Sequence, residues 1–178
     1  MISLGIDFST HTGITVLSFS GDGSHRVLEA REATAPKTLK GMNRADYIAC
    51  EVVTLIQKYT PKVICLEDYA PKFMGSAIVN IEITAVSKYM IYQLEYGYWK
   101  VPVGTLKKFV TGKGNAQKDL MMKEVFKKWG FDTDNNNIAD SFGLAMFGGA
   151  LENAINCNKE VTKDLNTFKE NRLKNYCN

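Results

Sequence analysis

Three acidic side chains stand where a core would call for apolar ones. Asp7 closes the run Ile2-Ser3-Leu4-Gly5-Ile6-Asp7, in which apolar residues alternate with small ones and Gly5 leaves space on one face. Glu67 ends a second such run, Val63-Ile64-Cys65-Leu66-Glu67. Asp140 interrupts Asn137-Ile138-Ala139-Asp140-Ser141-Phe142-Gly143-Leu144-Ala145, an otherwise apolar helical segment. A buried charge without a partner is expensive, so three acids in core-like settings ask for a shared cation. All three are oxygen donors with no His or Cys nearby, which selects Mg²⁺ or Mn²⁺ rather than zinc. Carboxylate-held ions of this kind carry out phosphoryl chemistry, one ion activating water and a second, ~3.5–4 Å away, stabilising the leaving oxygen. Taken singly, each acid has a plainer reading: strand-end turn former, surface residue or helix-start acid.

The elements around them explain how they could meet. Gly13 to Ser20 reads as a second strand, Gly21-Asp22-Gly23 as a hairpin turn, and Arg26 to Glu32 as a third strand, giving an antiparallel meander. Ala45, Ile48, Ala49, Val52, Ile56 and Tyr59 recur at helical spacing from about Met42 to Tyr59, and Pro61 stops that helix. The apolar run Val63 to Glu67 suits a strand covered on both faces. A long helix is predicted over Ser76 to Tyr96, a fifth strand over Trp99 to Val103 and a short helix over Thr105 to Val110. A glycine loop at 111–115 leads to a helix ending at Gly130, and the polar stretch Asp132 to Asn137 is suited to capping a last core helix that reaches about Asn153. Strands one and four are expected to be parallel neighbours, with Asp7 and Glu67 at or near their carboxyl ends, where ligands gather in open α/β sheets. By period-two alternation Asp7 shares a face with Ser3 and Gly5, and Glu67 with Val63 and Cys65. Asp140 is expected in the N-terminal turn of the last helix, where the dipole favours an acid.

A chain of 178 residues with 45% hydrophobic content fits one domain with a sizeable core. No apolar run approaches the ~20 residues of a membrane span, and Ile2 to Asp7 already reads as structure rather than as a leader, so a cytoplasmic protein is expected. Cys50, Cys65, Cys157 and Cys177 lack metal-ligand spacing; Cys50 and Cys65 are read as reduced packing residues. The net charge is only +3, but eight lysines fall between Lys100 and Lys128 against two acids, either a phosphate footprint or a solvated helical face. Residues 154–178 are polar and are expected to form a peripheral helix or to be partly disordered, leaving residues 1–153 as the domain proper.

Leu4-Gly5-Ile6-Asp7-Phe8-Ser9 with Gly13, Cys65-Leu66-Glu67, Gly112-Lys113-Gly114-Asn115-Ala116-Gln117-Lys118 and Asn137-Ile138-Ala139-Asp140, in this order, resemble the RuvC family of Holliday junction resolvases, especially its shorter bacteriophage versions. The resemblance implies an α/β, RNase H-like fold: a five-stranded mixed sheet in the order 3-2-1-4-5 flanked by helices. It further implies a homodimer that resolves four-way DNA junctions by Mg²⁺-dependent paired hydrolysis, with Mn²⁺ able to substitute, in bacterial or phage-infected cytoplasm. The family's catalytic, metal-binding acids map onto Asp7, Glu67 and Asp140. A further family aspartate is replaced by Asn137, which still offers a carbonyl oxygen; Asp134 is a nearby substitute. Lys118 matches a lysine that acts on the scissile phosphate, Lys107 a second basic position, and Lys113 is placed on backbone phosphate. Tyr69 or Phe73 would supply an aromatic that stacks on junction bases, or else packs beneath its loop. The dimer face would be the long helix, unless that helix is wholly buried.

Other readings compete. The same acids would serve a less selective branched-DNA nuclease or an RNase H-type enzyme, and a non-catalytic junction binder would keep the DNA contacts alone. Gly5-Ile6-Asp7-Phe8-Ser9-Thr10 also resembles the first phosphate loop of actin-like and sugar-kinase proteins, but those need a second related domain and a second loop.

Overall fold

A computed structural model describes residues 1–68, 74–171 and 176–177, without the side chains of 74–77 and 118. In chain order the elements are β1 (Ile2–Asp7), β2 (His11–Phe19), β3 (His25–Thr34), α1 (Met42–Tyr59), β4 (Val63–Asp68), α2 (Met74–Gln93), β5 (Tyr98–Pro102), α3 (Val103–Thr111), α4 (Lys118–Trp129), α5 (Asn136–Leu151), α6 (Lys159–Glu170) and β6 (Tyr176–Cys177). The sheet order is β3-β2-β1-β4-β5-β6. β1, β2 and β3 form the antiparallel meander, and β1, β4 and β5 run parallel. The α/β, RNase H-like architecture is therefore as expected, with one minor difference: the described residues form a sheet of six strands, not five. β6 pairs antiparallel with Tyr98 and Trp99 of β5. Two residues are too few to carry an alternation signal.

Alternation sends the two faces of β1 into separate cores. Leu4 and Ile6 join Ile14, Val16, Ile64 and Leu66 under α1 and α2. On the opposite face Val63, Cys65 and Val101 pack under α3, α4, α5 and α6. α1 buries Ala45, Ile48, Ala49, Val52, Leu55 and Ile56 and ends at Tyr59, with Thr60 as its C-cap before Pro61. Cys65 is buried as expected, but Cys50 is exposed, because its position in α1 lies off that apolar stripe. In the C-terminal segment Asn158 caps α6, whose Leu165 and Phe168 are buried, Phe168 against the rings of Trp99 and Phe147. No helix among the described residues is long and apolar enough to cross a membrane.

α5 is the central helix, with twelve of its residues buried. It lies on β1 and β2 at backbone-to-backbone distance. A Cβ added at Gly5 would fall 2.1 Å from Ser141 O and 2.4 Å from Ala145 N; one at Gly13 would fall 1.9 Å from Asn137 O. Small polar groups complete the seam. Ser3 Oγ donates to Ala145 O at 2.8 Å, and the hydroxyls of Thr15 and Ser141 are 2.8 Å apart. The two nearest neighbours at Gly5 are main-chain atoms and the third is the Leu144 Cβ, so no rotamer change can relieve the clash. Gly5→Ala should therefore lower the unfolding free energy in urea by about 3 kcal/mol, the upper end of ordinary overpacking. Gly21→Ala, which meets nothing within 4 Å, should stay within about 0.5 kcal/mol of wild type. Equal stabilities for the two variants would show that α5 is not held by this contact.

Candidate metal centre

Asp7 ends β1, Glu67 lies next to the end of β4, and Ile6 pairs with Leu66, so the two acids leave adjacent parallel strands at their carboxyl ends. α5 crosses the same edge and adds Asp140. One carboxylate oxygen from each acid lies within 4.8 Å of the others, and all three residues are half-buried. At such separations two unit charges repel by on the order of 3–4 kcal/mol at an effective dielectric constant near 20. A cation placed among them converts that repulsion into binding energy. The helix dipole contributes less than expected: α5 begins at Asn136, so Asp140 lies in its second turn, beyond the dipole's main reach.

A second acid centre adjoins the first. Asp7 pairs with Gly13, and Gly13 pairs with Glu32 of β3, so Asp7 and Glu32 occupy one row across the meander. Glu32 Oε2 accepts from Asn135 Nδ2 at 2.8 Å and from Asn137 Nδ2 at 3.1 Å. Its Oε1 lies 3.0 Å from both His11 Nδ1 and Thr34 Oγ1. These donors, the Asn135 amide foremost, hold the Glu32 carboxyl down to about 2 against the opposing effect of desolvation. Asn135 is also the N-cap of α5, its Oδ1 accepting from the N–H groups of Asn137 (2.9 Å) and Ile138 (3.2 Å).

The residues singled out in the sequence divide as follows. Asp7, Glu67 and Asp140 come together. Asn137 sits in the first turn of α5, with its amide nitrogen on Glu32. Asp134 is exposed before α5 and stands outside the carboxylate cluster. Lys107 is half-buried in α3, which leaves the sheet at the carboxyl end of β5. Lys113 is exposed, its backbone N–H and carbonyl both bonded to the Thr111 hydroxyl. Lys118 opens α4, but its side chain lies outside the described residues, as do Tyr69 and Phe73 altogether. Of the eight lysines, Lys108 is committed to Asp164 at 2.7 Å and Lys127 lies 3.8 Å from Glu124. Sequence reasoning missed Glu32, Asn135 and His11, whose connection appears only once β2 and β3 are in register.

No protein-family model and no curated protein matches this sequence. Solved structures do. RuvC of T. thermophilus in complex with Holliday junction substrate is 17% identical over 82% of this chain and 91% of its own, with a TM-score of 0.72. A structure of Thermus thermophilus RuvC is 16% identical over 98% of both chains, with a TM-score of 0.71. The yeast mitochondrial Holliday junction resolvase Ydc2 is 14% identical over 96% of this chain and 82% of its own, with a TM-score of 0.61. The fold is that of RuvC. The expected RNase H-like architecture is thus shown by whole-chain likeness, although sequence identity is too low for sequence comparison to detect it.

A cation that binds the folded protein alone stabilises it by about 2.7 kcal/mol at one hundred times its dissociation constant. For a chain of this size that should raise Tm by about 5–10 °C. Saturating Mn²⁺ should produce this rise in the wild type and none in Asp7→Asn/Glu67→Gln/Asp140→Asn, followed by differential scanning fluorimetry. A wild type indifferent to Mn²⁺, or a triple variant stabilised equally, would dissociate the carboxylates from metal binding.

Proposed function

We propose that this protein is a metal-dependent, structure-selective endodeoxyribonuclease that resolves four-way DNA junctions by paired phosphodiester hydrolysis. The observation that carries the reading is the convergence of Asp7, Glu67 and Asp140 at the carboxyl edge of a RuvC-like sheet, with oxygen ligands within 4.8 Å of one another. The donor set fits a hard divalent cation, Mg²⁺ or Mn²⁺, and its three carboxylates suit neither zinc nor a soft metal. Bound there, the ion would supply an activated water and neutralise the leaving oxygen. The three acids would hold it, and Asn137 would offer a fourth oxygen. Lys118 opens α4 and is assigned to the scissile phosphate, where its charge would offset the charge that develops during cleavage. Lys107 and Lys113 are assigned to backbone phosphates farther along the DNA, and Tyr69 or Phe73, shortly after Glu67 in the chain, to an unstacked junction base.

Paired cuts need two active sites, and the reading includes a homodimer. α2 supports it. Ile78, Ile81, Tyr89 and Tyr92 are 48–62% exposed along one side of that helix, with the exposed Ala85 between them. Large apolar side chains in such a row are the usual mark of an interaction face. The proposed catalytic side chains all fall within residues 1–153, which we take as the nuclease domain, with 154–178 as an appendage to it. Bacterial or phage-infected cytoplasm is the compartment this reading implies.

The experiment is cleavage of a synthetic mobile four-way junction with Mg²⁺, with and without EDTA, mapping nicks on all four strands beside three-way, flap and RNA–DNA substrates. The wild type should nick opposed strands of the four-way junction, and EDTA should stop it. Asp7→Asn should abolish cleavage while junction binding persists in a gel-shift assay. Lys118→Ala should lower the cleavage rate by about 10²–10³ with a smaller loss of binding, as expected of a group that acts on developing charge. Normal cutting by Asp7→Asn would remove the site; equal losses in Lys118→Ala would make that lysine an ordinary backbone contact.

The dimer has its own test. Ile81→Glu/Tyr89→Glu should run as a monomer by light scattering and lose coordinated cuts while retaining Mn²⁺-induced stabilisation. A dimer unaffected by both substitutions would place the interface elsewhere.

A further inference from the structure

An asparagine can ligate a cation only through its amide oxygen; turned over, the same side chain presents two N–H donors to the ion. Position 137 therefore needs something an aspartate there would not: a device that decides which way the group faces. Glu32 is placed to be that device. An ionised carboxylate accepts hydrogen bonds and donates none. Its Oε2 takes the Nδ2 groups of both Asn135 (2.8 Å) and Asn137 (3.1 Å), while His11 and Thr34 occupy Oε1. Nδ2 of Asn137 is thereby committed to Glu32 of β3, and its Oδ1 is the atom that this bond leaves uncommitted to Glu32. The same carboxylate fixes the amide of Asn135, leaving Oδ1 of that residue to cap the N–H groups of Asn137 and Ile138.

We infer that Glu32 is a positioning residue for the metal centre, acting through Asn137: it sets the amide orientation that makes Asn137 an oxygen ligand. The inference rests on the reading of Asp7, Glu67, Asp140 and Asn137 as a cation site, and it assigns a role to a strand that contributes no ligand of its own.

Titration calorimetry with Mn²⁺ on the full chain tests it through a double-mutant cycle of Glu32→Gln and Asn137→Asp, with circular dichroism confirming the fold of each variant. A glutamine at position 32 can donate as well as accept, so it no longer enforces one amide orientation. Glu32→Gln should weaken Mn²⁺ binding about tenfold, the lower end of the loss seen when an outer-shell partner of a metal ligand is removed. A carboxylate at position 137 has no wrong face. In the Asn137→Asp background Glu32→Gln should therefore cause no weakening, a coupling that mere loosening of α5 would not produce. Wild-type affinity in Glu32→Gln, or the same fold-loss in both backgrounds, overturns the inference. Absence of Mn²⁺ binding by the wild type overturns the cation site itself. Loss of binding in Asp7→Asn with full binding in Glu32→Gln leaves the site intact and removes only the role of Glu32.

Discussion

The contact between the backbone of α5 and the first two strands governs the geometry of the whole site. Helices normally stand off a sheet by the thickness of two side-chain layers; here Gly5 and Gly13 remove one layer, and a Cβ at either position would lie about 2 Å from helix main-chain atoms. That approach brings Asp140 close enough to share a ligand cluster with Asp7. It also explains why the seam is lined by Ser3, Thr15, Ser141 and Ala145, whose small side chains fit the gap and satisfy one another's polar groups. Metal coordination tolerates errors of only ~0.2 Å in ligand position. A helix seated on main chain is a stiffer support than one seated on rotatable side chains, and a metal centre needs that stiffness.

The same closeness concentrates negative charge. Three half-buried carboxylates within 4.8 Å repel one another, and a loosely built fold would relax by separating them. Each arrives on a different element, and those elements are tied together by two cores. One packs α1 and α2 against Leu4, Ile6, Ile64 and Leu66; the other packs α5 with α3, α4 and α6 against Val63, Cys65 and Val101. Gly143, one turn beyond Asp140, lies against Leu106, Val110 and Met121, so α3 and α4 brace the helix on its outer side. Stability generated by apolar burial throughout the domain thus holds together a cluster that would be unfavourable by itself, which is where natural folds concentrate their local conflicts.

Much of this arrangement is legible in the sequence because it follows from local rules. Alternation in Ile2 to Asp7 places Ser3, Gly5 and Asp7 on one face, and that face is the one α5 covers. Pro61 and Gly130 mark helix ends at Tyr59 and Trp129, where α1 and α4 stop. Asn135 caps α5 from within the polar stretch expected to do so. What local rules miss depends on register or on distant partners. Tyr176–Cys177 is a strand only because the edge of β5 is there to receive it. Cys50 looks like a packing residue until the apolar stripe of α1 is resolved to single positions. Glu32 lies 103 residues from Asn135 in the chain, and nothing in the text of β3 distinguishes it from the neighbouring Glu29, which instead pairs with Arg31 and Lys58.

The neutral side chain at position 137 changes the electrostatics as well as the geometry. With asparagine there, the inner cluster carries three formal negative charges rather than four, and their mutual repulsion before an ion arrives is correspondingly smaller. Glu32 returns a negative charge two strands away, on β3. It remains ionised because four donors surround its oxygens, and it adds to the local negative potential without entering the cluster. Charge at that distance attracts a divalent cation with less of the close repulsion that a fourth clustered carboxylate would bring. The same potential disfavours a phosphodiester at that side of the site. On the opposite side, toward β5, α3 and the 112–117 loop lead to α4 and carry Lys107 and Lys113. The carboxyl edge of the sheet thus carries acids toward β3 and lysines toward β5, a polarity that accords with the proposed metal and backbone contacts.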